Sequence, residues 1–147
     1  MTLTAVIVRT CIRLGIPRML ENPVSSMMWR APPIAHSHLS SFCSSHIFDQ
    51  CQFGTRWRNK KTRALTWHCG DCDVLNKQCS GRKGMCSLTC TPHIVLQGNC
   101  KDTNTLWTKI AQEYPVQLSR HVAAELSCAA EAVKLRVSFR ISGLTAK

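Results

Sequence analysis

The fold is decided by the stretch Ile16-Pro17-Arg18-Met19-Leu20-Glu21-Asn22-Pro23, in which a short apolar run leads into an acidic turn. The apolar run predicts a β-strand, and Asn-Pro is common turn chemistry. Ser25-Ser26-Met27-Met28-Trp29 follows and can open a helix. A carboxylate at the end of a strand, next to a turn, lies where open α/β sheets bind their ligands. Glu21 is therefore a candidate ligand contact, and a turn that happens to carry a glutamate is the alternative.

The segments around this stretch predict both helices and strands. Residues 2–14 carry apolar side chains at helical spacing, and Gly15 supplies a C-terminal stop. Residues 47–53 alternate apolar and polar side chains, which predicts a strand, and residues 64–67 are expected to return as the second strand of a hairpin. Residues 93–96 predict another short strand. Residues 105–126 are helical in pattern, and Pro115 is expected to open a second helix because proline is tolerated in a first turn.

The other segments predict irregular structure. Residues 31–46 are rich in Pro, Ser and His, which predicts a loop or linker. Residues 68–93 contain many cysteines and little apolar periodicity, which predicts a Cys-rich loop. Residues 135–147 form a basic tail, with a strand expected over 135–141. We therefore expect one incomplete domain over residues 1–134, with the Cys-rich loop inserted at 68–93, followed by the tail.

The chain is strongly basic, with a formal charge of +11 from 19 Lys and Arg against 8 Asp and Glu. Such a surface favours an anionic partner, most often nucleic acid, although charge alone does not separate nucleic acid from an acidic protein or an anionic membrane. Lys and Arg can neutralise phosphates, and a Trp between them can stack on an unpaired base. The candidate nucleic-acid contacts are Arg56, Trp57, Arg58, Lys60, Lys61 and Arg63. The alternative is a solvated hairpin loop whose Trp57 packs inward.

Ten cysteines in 147 residues indicate either disulfides or metal binding. Arg9 and Arg13 interrupt the apolar stretch near the start, so it makes a poor export signal. No run approaches the roughly 18 apolar residues of a membrane span. We therefore expect an intracellular protein with no membrane partner, whose cysteines are free thiols or metal ligands.

Cys69-x-x-Cys72 has the spacing of half a structural zinc site. The sequence predicts one Zn²⁺ ion held by Cys69, Cys72, Cys86 and Cys90, with Cys79 or His93 as substitutes. The second pair is irregular, because three residues separate its two cysteines. A loop of incidental free cysteines is the alternative.

Three segments, in chain order, resemble the second half of a cytosine-C5 DNA methyltransferase. Glu21-Asn22-Pro23 resembles the family's Glu-Asn-Val motif, with Pro in place of Val. Phe53-Gly54 and the basic run after it are similar to the family's Phe-Gly-x-Pro-Gln-x-Arg-x-Arg stretch, without the Pro-Gln. Tyr114-Pro115 and the helix after it look like the family's Val-Pro terminal helix. Divergent methyltransferase-like proteins of phages and mobile elements are more similar still, because residues 17–126 follow the order of their motifs.

This resemblance implies an α/β fold, namely a partial Rossmann-like open sheet with a Cys-rich loop insertion and a C-terminal helix. It also implies that Glu21 is the remnant of a contact that holds a flipped cytosine. The family's cofactor-binding glycine turn and its Pro-Cys nucleophile precede the Glu motif, and the 20 residues before Glu21 contain neither. Cys51-Gln52 is not that nucleophile, since it lacks the Pro and follows the Glu motif. We therefore expect S-adenosylmethionine to bind only if a complementary N-terminal half is supplied as a partner.

Two functions are compatible with these patterns. The first is a methyltransferase-like fragment, inactive by itself, that retains a basic DNA-binding surface. The alternative is a small Cys-rich nucleic-acid-binding protein organised by zinc. The sequence contains no Ser-His-Asp arrangement, no phosphate-cradling glycine loop and no paired carboxylates. Few residues are therefore available for the chemistry of other enzyme classes.

Overall fold

The computed structural model describes residues 3–57, 60–70 and 72–144, and for 136–144 the course of the backbone alone. The regular elements are α1 (Leu3–Leu14), β1 (Arg18–Pro23), α2 (Pro32–His38), β2 (Cys43–Asp49), β3 (Lys61–Trp67), α3 (Trp107–Ile110) and α4 (Val116–Leu144). Short 3₁₀ turns lie at Met27–Arg30, Gln50–Phe53 and Asp73–Asn76.

The described strands form one open sheet in the order β1-β3-β2, and both pairs are antiparallel. Ala64 of the central strand lies opposite Glu21 of β1 and His46 of β2. The mixed α/β class, the open sheet and the C-terminal helix agree with the sequence prediction. The Rossmann-like part of that prediction is not confirmed, because a Rossmann sheet is built from parallel strands. Glu21 lies within β1 rather than at a switch point beyond a strand end.

Each face of the sheet is covered, which gives two apolar cores. Leu65 and Trp67 of β3 point to one face and pack with Val8 of α1 and Ile34 of α2. Successive side chains of a strand point to opposite faces, so Ala64 belongs to the other face, where it packs with a cluster that includes Phe48, Leu75 and Leu118. Burial of a large apolar side chain contributes about 1.5–3 kcal/mol to folding, so these two layers hold the sheet between helices.

The helix boundaries follow from local chemistry. α1 ends where Gly15 adopts a φ of +65°, and the backbone N–H of Ile16 donates to the Cys11 carbonyl at 3.0 Å. α4 begins directly after Pro115, as predicted. Leu118 of α4 is fully buried and Val122 packs against the same core, so the predicted apolar stripe faces the sheet.

Several predicted segments differ in the structure. Residues 31–46 are not a loop throughout, because α2 starts at Pro32, where a proline is tolerated, and β2 starts at Cys43. The predicted strand over 47–53 ends at Asp49 and gives way to a 3₁₀ turn. Residues 93–96 form only a single bridge, between Ile94 and Trp57. α4 continues through the predicted tail strand to Leu144, across the boundary predicted between 134 and 135, and residues 145–147 lie outside the described part.

Within the described residues, no helix combines the length and the apolar character needed to cross a lipid bilayer.

Candidate metal centre and neighbouring cleft

Four metal-ligating side chains converge beside β2. They are Cys51, Cys79, Cys86 and His93, and their ligand atoms all lie within 4.8 Å of one another. Cys51 comes from the 3₁₀ turn that follows β2, and the other three come from the Cys-rich loop. Cys51 and Cys86 are buried, whereas Cys79 and His93 are half-buried. A metal ion held here would therefore be mostly shielded from solvent and would tie the loop to the end of the strand.

The spacing of these atoms is close to that of a tetrahedral site. A zinc–sulfur bond of about 2.3 Å places the sulfur atoms of a tetrahedron roughly 3.8 Å apart. The Cys79 Sγ and His93 Nε2 atoms are 3.8 Å apart, so this pair already has the required separation. Other pairs, up to 4.8 Å apart, need to approach by at most about 1 Å. Three thiols and an imidazole form a soft donor set, which suits zinc better than magnesium or calcium.

His93 is oriented as a metal ligand would be. Its Nδ1 lies 3.1 Å from the Gly84 carbonyl oxygen, so we assign the ring proton to Nδ1, which donates to that carbonyl. Nε2 then carries the lone pair and faces the Cys79 sulfur. This carbonyl–histidine arrangement commonly fixes the tautomer of zinc-binding histidines.

The loop that carries three of the ligands is held by backbone hydrogen bonds and unusual torsions. The N–H of Cys86 donates to the Thr91 carbonyl at 2.9 Å, and the N–H of Cys90 donates to the Cys86 carbonyl at 3.0 Å. Gly84 and Cys90 have positive φ angles of 81° and 53°. A Cβ atom at Gly81 would collide with the Met85 carbonyl. The backbone therefore makes a tight turn that brings Cys79, Cys86 and His93 together.

The thiols of the cluster differ in acidity. Burial alone would raise the pKa of Cys79, but hydrogen bonds from Ser87 and from the Gly81 backbone outweigh it and lower that pKa to about 6. The Ser87 backbone N–H lies 3.4 Å from the Cys79 sulfur. Burial raises the pKa of Cys51 to about 12. Without a metal ion, Cys79 is thus a thiolate near neutral pH while Cys51 keeps its proton.

The structure assembles a different ligand set from the predicted one. Cys86 is the member that the two sets share, and the substitutes Cys79 and His93 both belong to the observed group. Cys69 lies at the start of the loop, where its thiol is 3.4 Å from the Trp67 carbonyl and 3.6 Å from that of Arg18.

The two other predicted ligands, Cys72 and Cys90, also lie outside the cluster. Cys72 is buried in the core beneath α4, and Cys90 is exposed. Cys51 was missed because 27 residues separate it from Cys79, so no local spacing motif includes it. The sequence carries no signal for this ligand, because residues 47–53 predict one continuous strand.

The basic residues that the sequence predicts as nucleic-acid contacts have different surroundings from one another. Arg56 and Lys61 are exposed, and Lys61 lines the same hollow as Cys51, Cys79 and His93. The Lys60 ammonium instead donates to the Ala111 carbonyl. Arg63 is half-buried, 5.7 Å above the Trp29 ring.

Trp57 is half-buried, and its ring centroid is 6.2 Å from that of Trp107. Arg58 lies outside the described residues.

Glu21 and Tyr114 meet in a cleft of about 400 Å³ between the sheet and the segment that precedes α4. Lys60 and Gln50 also line this cleft. Burial raises the pKa of the Tyr114 hydroxyl above its ordinary range, and so do its hydrogen bond to Glu21 and the negative charge there. Burial lowers the pKa of Lys60, and Glu21 opposes that shift. The cleft therefore contains one acidic group, one basic group and a protonated phenol.

No family model, no curated protein and no solved structure matches this chain.

Proposed function

We propose that the chain is a small zinc-organised protein that binds nucleic acid. The convergence of Cys51, Cys79, Cys86 and His93 carries this proposal. Three thiolates and one imidazole make a closed four-ligand set of the kind that serves structure rather than catalysis. Zinc binding would connect the end of β2 to the Cys-rich loop. Leu75 and Cys86 of this loop are buried, but most of its other side chains contribute little to the apolar core.

The proposed nucleic-acid interface is the surface beside the zinc site. Arg56, Lys61 and Lys83 are exposed there, and we call these three residues the zinc-side basic surface. Lys61 and Lys83 line the hollow next to the ligands, and the Arg56 guanidinium donates to the Pro92 carbonyl at 3.4 Å. The formal charge of +11 supports an anionic partner. Phosphate contacts by these side chains would give affinity without sequence preference.

The test is the salt dependence of DNA binding by the zinc-loaded chain. We expect a labelled DNA duplex to bind, with an affinity that falls steeply as salt rises, because phosphate contacts release counterions. The double variant Arg56→Ala/Lys61→Ala should reduce the magnitude of the slope of log K against log salt by about 1.8, roughly 0.9 for each lost contact. Fluorescence anisotropy measures both the affinity and the slope of log K against log salt.

The matched control is Arg9→Ala/Arg13→Ala, which removes two exposed positive charges from α1. This control should retain most of the salt slope. Binding that is insensitive to salt, or equal losses in the two double variants, would refute the proposed surface. A folded protein that contains no stoichiometric zinc would refute the zinc-organised part.

A methyltransferase-like fragment is the second proposal, and one observation favours it. Glu21 and Tyr114 belong to two of the segments that resemble that family, and they line one cleft although 92 residues lie between them in the chain. Loss of base-specific binding in Glu21→Ala would support a remnant base contact, and unchanged base preference would argue against it. S-adenosylmethionine enters this proposal only with a complementary N-terminal half.

A further inference from the structure

The outer face of α1 carries a stripe of exposed apolar side chains. Leu3, Ile7 and Leu14 are 75%, 52% and 59% exposed. Side chains that are spaced by four and by seven residues lie on one line along a helix, so these three share a face. Thr10, which is also exposed, belongs to the same line. We call Leu3, Ile7, Thr10 and Leu14 the α1 stripe.

α1 is apolar on two opposite faces. Ala5 and Val8 are buried, and Ile12 packs against the core that contains Val8. These side chains lie across the helix from the α1 stripe, so the stripe is the side of α1 that points away from the molecule. A surface helix of a globular protein ordinarily has charged and polar side chains on that side. An exposed apolar line along the whole helix therefore indicates an interaction surface.

An exposed aromatic ring lies close to the C-terminal end of α1. Phe42 is 62% exposed, and its ring stacks on the His68 ring at a centroid distance of 4.8 Å. The His68 Nε2 atom is 3.3 Å from the Ile12 carbonyl oxygen, which places Phe42 near the last turn of α1. Phenylalanine and leucine are typical of the apolar face of helices that lie in a membrane surface.

The charge beside the α1 stripe is positive. Arg9 and Arg13 are both exposed and lie four residues apart, on one flank of the stripe. Residues 3–48 contain a single carboxylate, that of Glu21. Glu21 is paired with Ala64, which packs on the α4 side of the sheet, so this carboxylate faces away from α1. The surface around the stripe thus combines apolar and cationic groups.

We propose that the α1 stripe docks on the surface of an anionic lipid bilayer. Its apolar side chains would enter the acyl region, and Arg9 and Arg13 would reach the lipid phosphates from the flank of the helix. A bilayer surface accepts a convex line of side chains without a matching groove. A second copy of the chain would instead bring the same two arginines and no carboxylate to meet them.

This docking is compatible with the rest of the molecule. A helix that lies in the plane of the bilayer surface needs no membrane-spanning length, so the proposal replaces the expectation of no membrane partner. It does not rest on zinc binding or on nucleic-acid binding, because α1 supplies no metal ligand and no residue of the zinc-side basic surface.

The experiment measures co-sedimentation of the zinc-loaded full chain with lipid vesicles at physiological salt. One set of vesicles contains phosphatidylcholine alone, and the other is an equimolar mixture of phosphatidylcholine and phosphatidylserine. We expect the chain to bind the mixed vesicles at least about tenfold more tightly, because anionic lipids attract the two arginines. Equal affinity for the two sets, or no binding to the mixed vesicles, would overturn the proposal.

Substitutions in the stripe separate docking of α1 from the general attraction of a basic protein to anionic lipid. Ile7→Gln/Leu14→Gln should weaken binding to the mixed vesicles at least about tenfold, because glutamine keeps the helix propensity and removes the apolar contact. Val116→Gln/Leu135→Gln, which changes two exposed apolar residues of α4, is the matched control and should retain the affinity. Equal losses in the two double variants would overturn the proposal.

The positive flank of the stripe has a test of its own. An arginine near an anionic bilayer contributes about fivefold in affinity, so Arg9→Ala/Arg13→Ala should weaken binding to the mixed vesicles about 25-fold. Lys101→Ala/Lys109→Ala, which removes two exposed charges elsewhere, is the control and should retain most of the affinity. Equal losses in these two variants would overturn the proposal.

Sedimentation of the parent chain without lipid tests the competing occupant. We expect no concentration-dependent dimer. A dimer that Ile7→Gln/Leu14→Gln abolishes would overturn the proposal, because a second copy would then cover the stripe. Vesicle binding and DNA binding are measured separately, so failure of this proposal and failure of the proposed function are distinguishable.

Discussion

At the residue scale, the chemistry of the metal centre depends on two thiols whose pKa values are shifted in opposite directions. Cys79 receives hydrogen bonds from Ser87 and has a pKa lowered to about 6, whereas burial raises the pKa of Cys51 to about 12. Three thiolates cannot lie this close together without a cation, so the metal-free cluster keeps protons that zinc must displace. Zinc affinity is therefore linked to pH through these two residues.

We predict that zinc affinity falls as pH falls, in two regimes. Between about pH 8 and about pH 6, zinc must displace at least the Cys51 proton, so affinity should fall at least about tenfold per pH unit. Below about pH 6, Cys79 is also protonated, so zinc must displace one more proton. Zinc affinity should then fall at least about a hundredfold per pH unit. Competition with a chelator of known pH dependence measures the slope. A pH-independent affinity would contradict the assignment of Cys51 and Cys79 as ligands.

At the scale of elements, the 3₁₀ turn Gln50–Phe53 connects the two sites. It follows β2, and it presents Gln50 to the cleft and Cys51 to the metal cluster. The Cys-rich loop supplies the other ligands because its backbone turns tightly at Gly81 and Gly84. The metal ligands therefore come from a short turn and a loop that the tertiary fold brings together.

Gly81→Ala should therefore damage the metal centre. The new Cβ would meet the Met85 carbonyl and the Ser87 backbone nitrogen, which are not flexible side-chain ends. We expect a cost of about 1–3 kcal/mol, measured as roughly a 5- to 150-fold loss of zinc affinity. Gly70→Ala is the matched control, since a Cβ there meets nothing within 4 Å. Comparable zinc affinities in the two variants would show that the loop does not need its tight turn.

The sequence predicts the regular elements better than it predicts the site. The apolar spacing of residues 2–14, the strand before Glu21 and the helix after Pro115 are all confirmed, because each depends on side chains close together in the chain. α2 was missed because Pro32 and its Ser- and His-rich continuation are typical of a loop, although Ile34 anchors the helix in the core. The metal ligands were only partly predicted, because Cys51 joins Cys79 through the tertiary fold and not through a spacing motif.

At the scale of the whole molecule, three layers hold the two sites in place. Helices α1 and α2 cover one face of the sheet, and α4 with the Asp73–Asn76 turn covers the other. The metal centre lies beside the end of β2, and of residues 79–93, which supply three of its ligands, Cys86 is the one buried apolar residue. Zinc would therefore replace part of the core that the loop lacks, and its removal should loosen the loop before the sheet.

The most direct test of the zinc-organised account is cobalt substitution in single-cysteine variants. The parent chain should bind one Co²⁺ ion with the tetrahedral spectrum and the thiolate charge-transfer band of a three-sulfur site. Cys51→Ser should lose about a third of that band and bind the metal more weakly, whereas Cys69→Ser should leave both unchanged. The opposite pattern, with Cys69→Ser abolishing binding and Cys51→Ser retaining it, would contradict the metal centre described here.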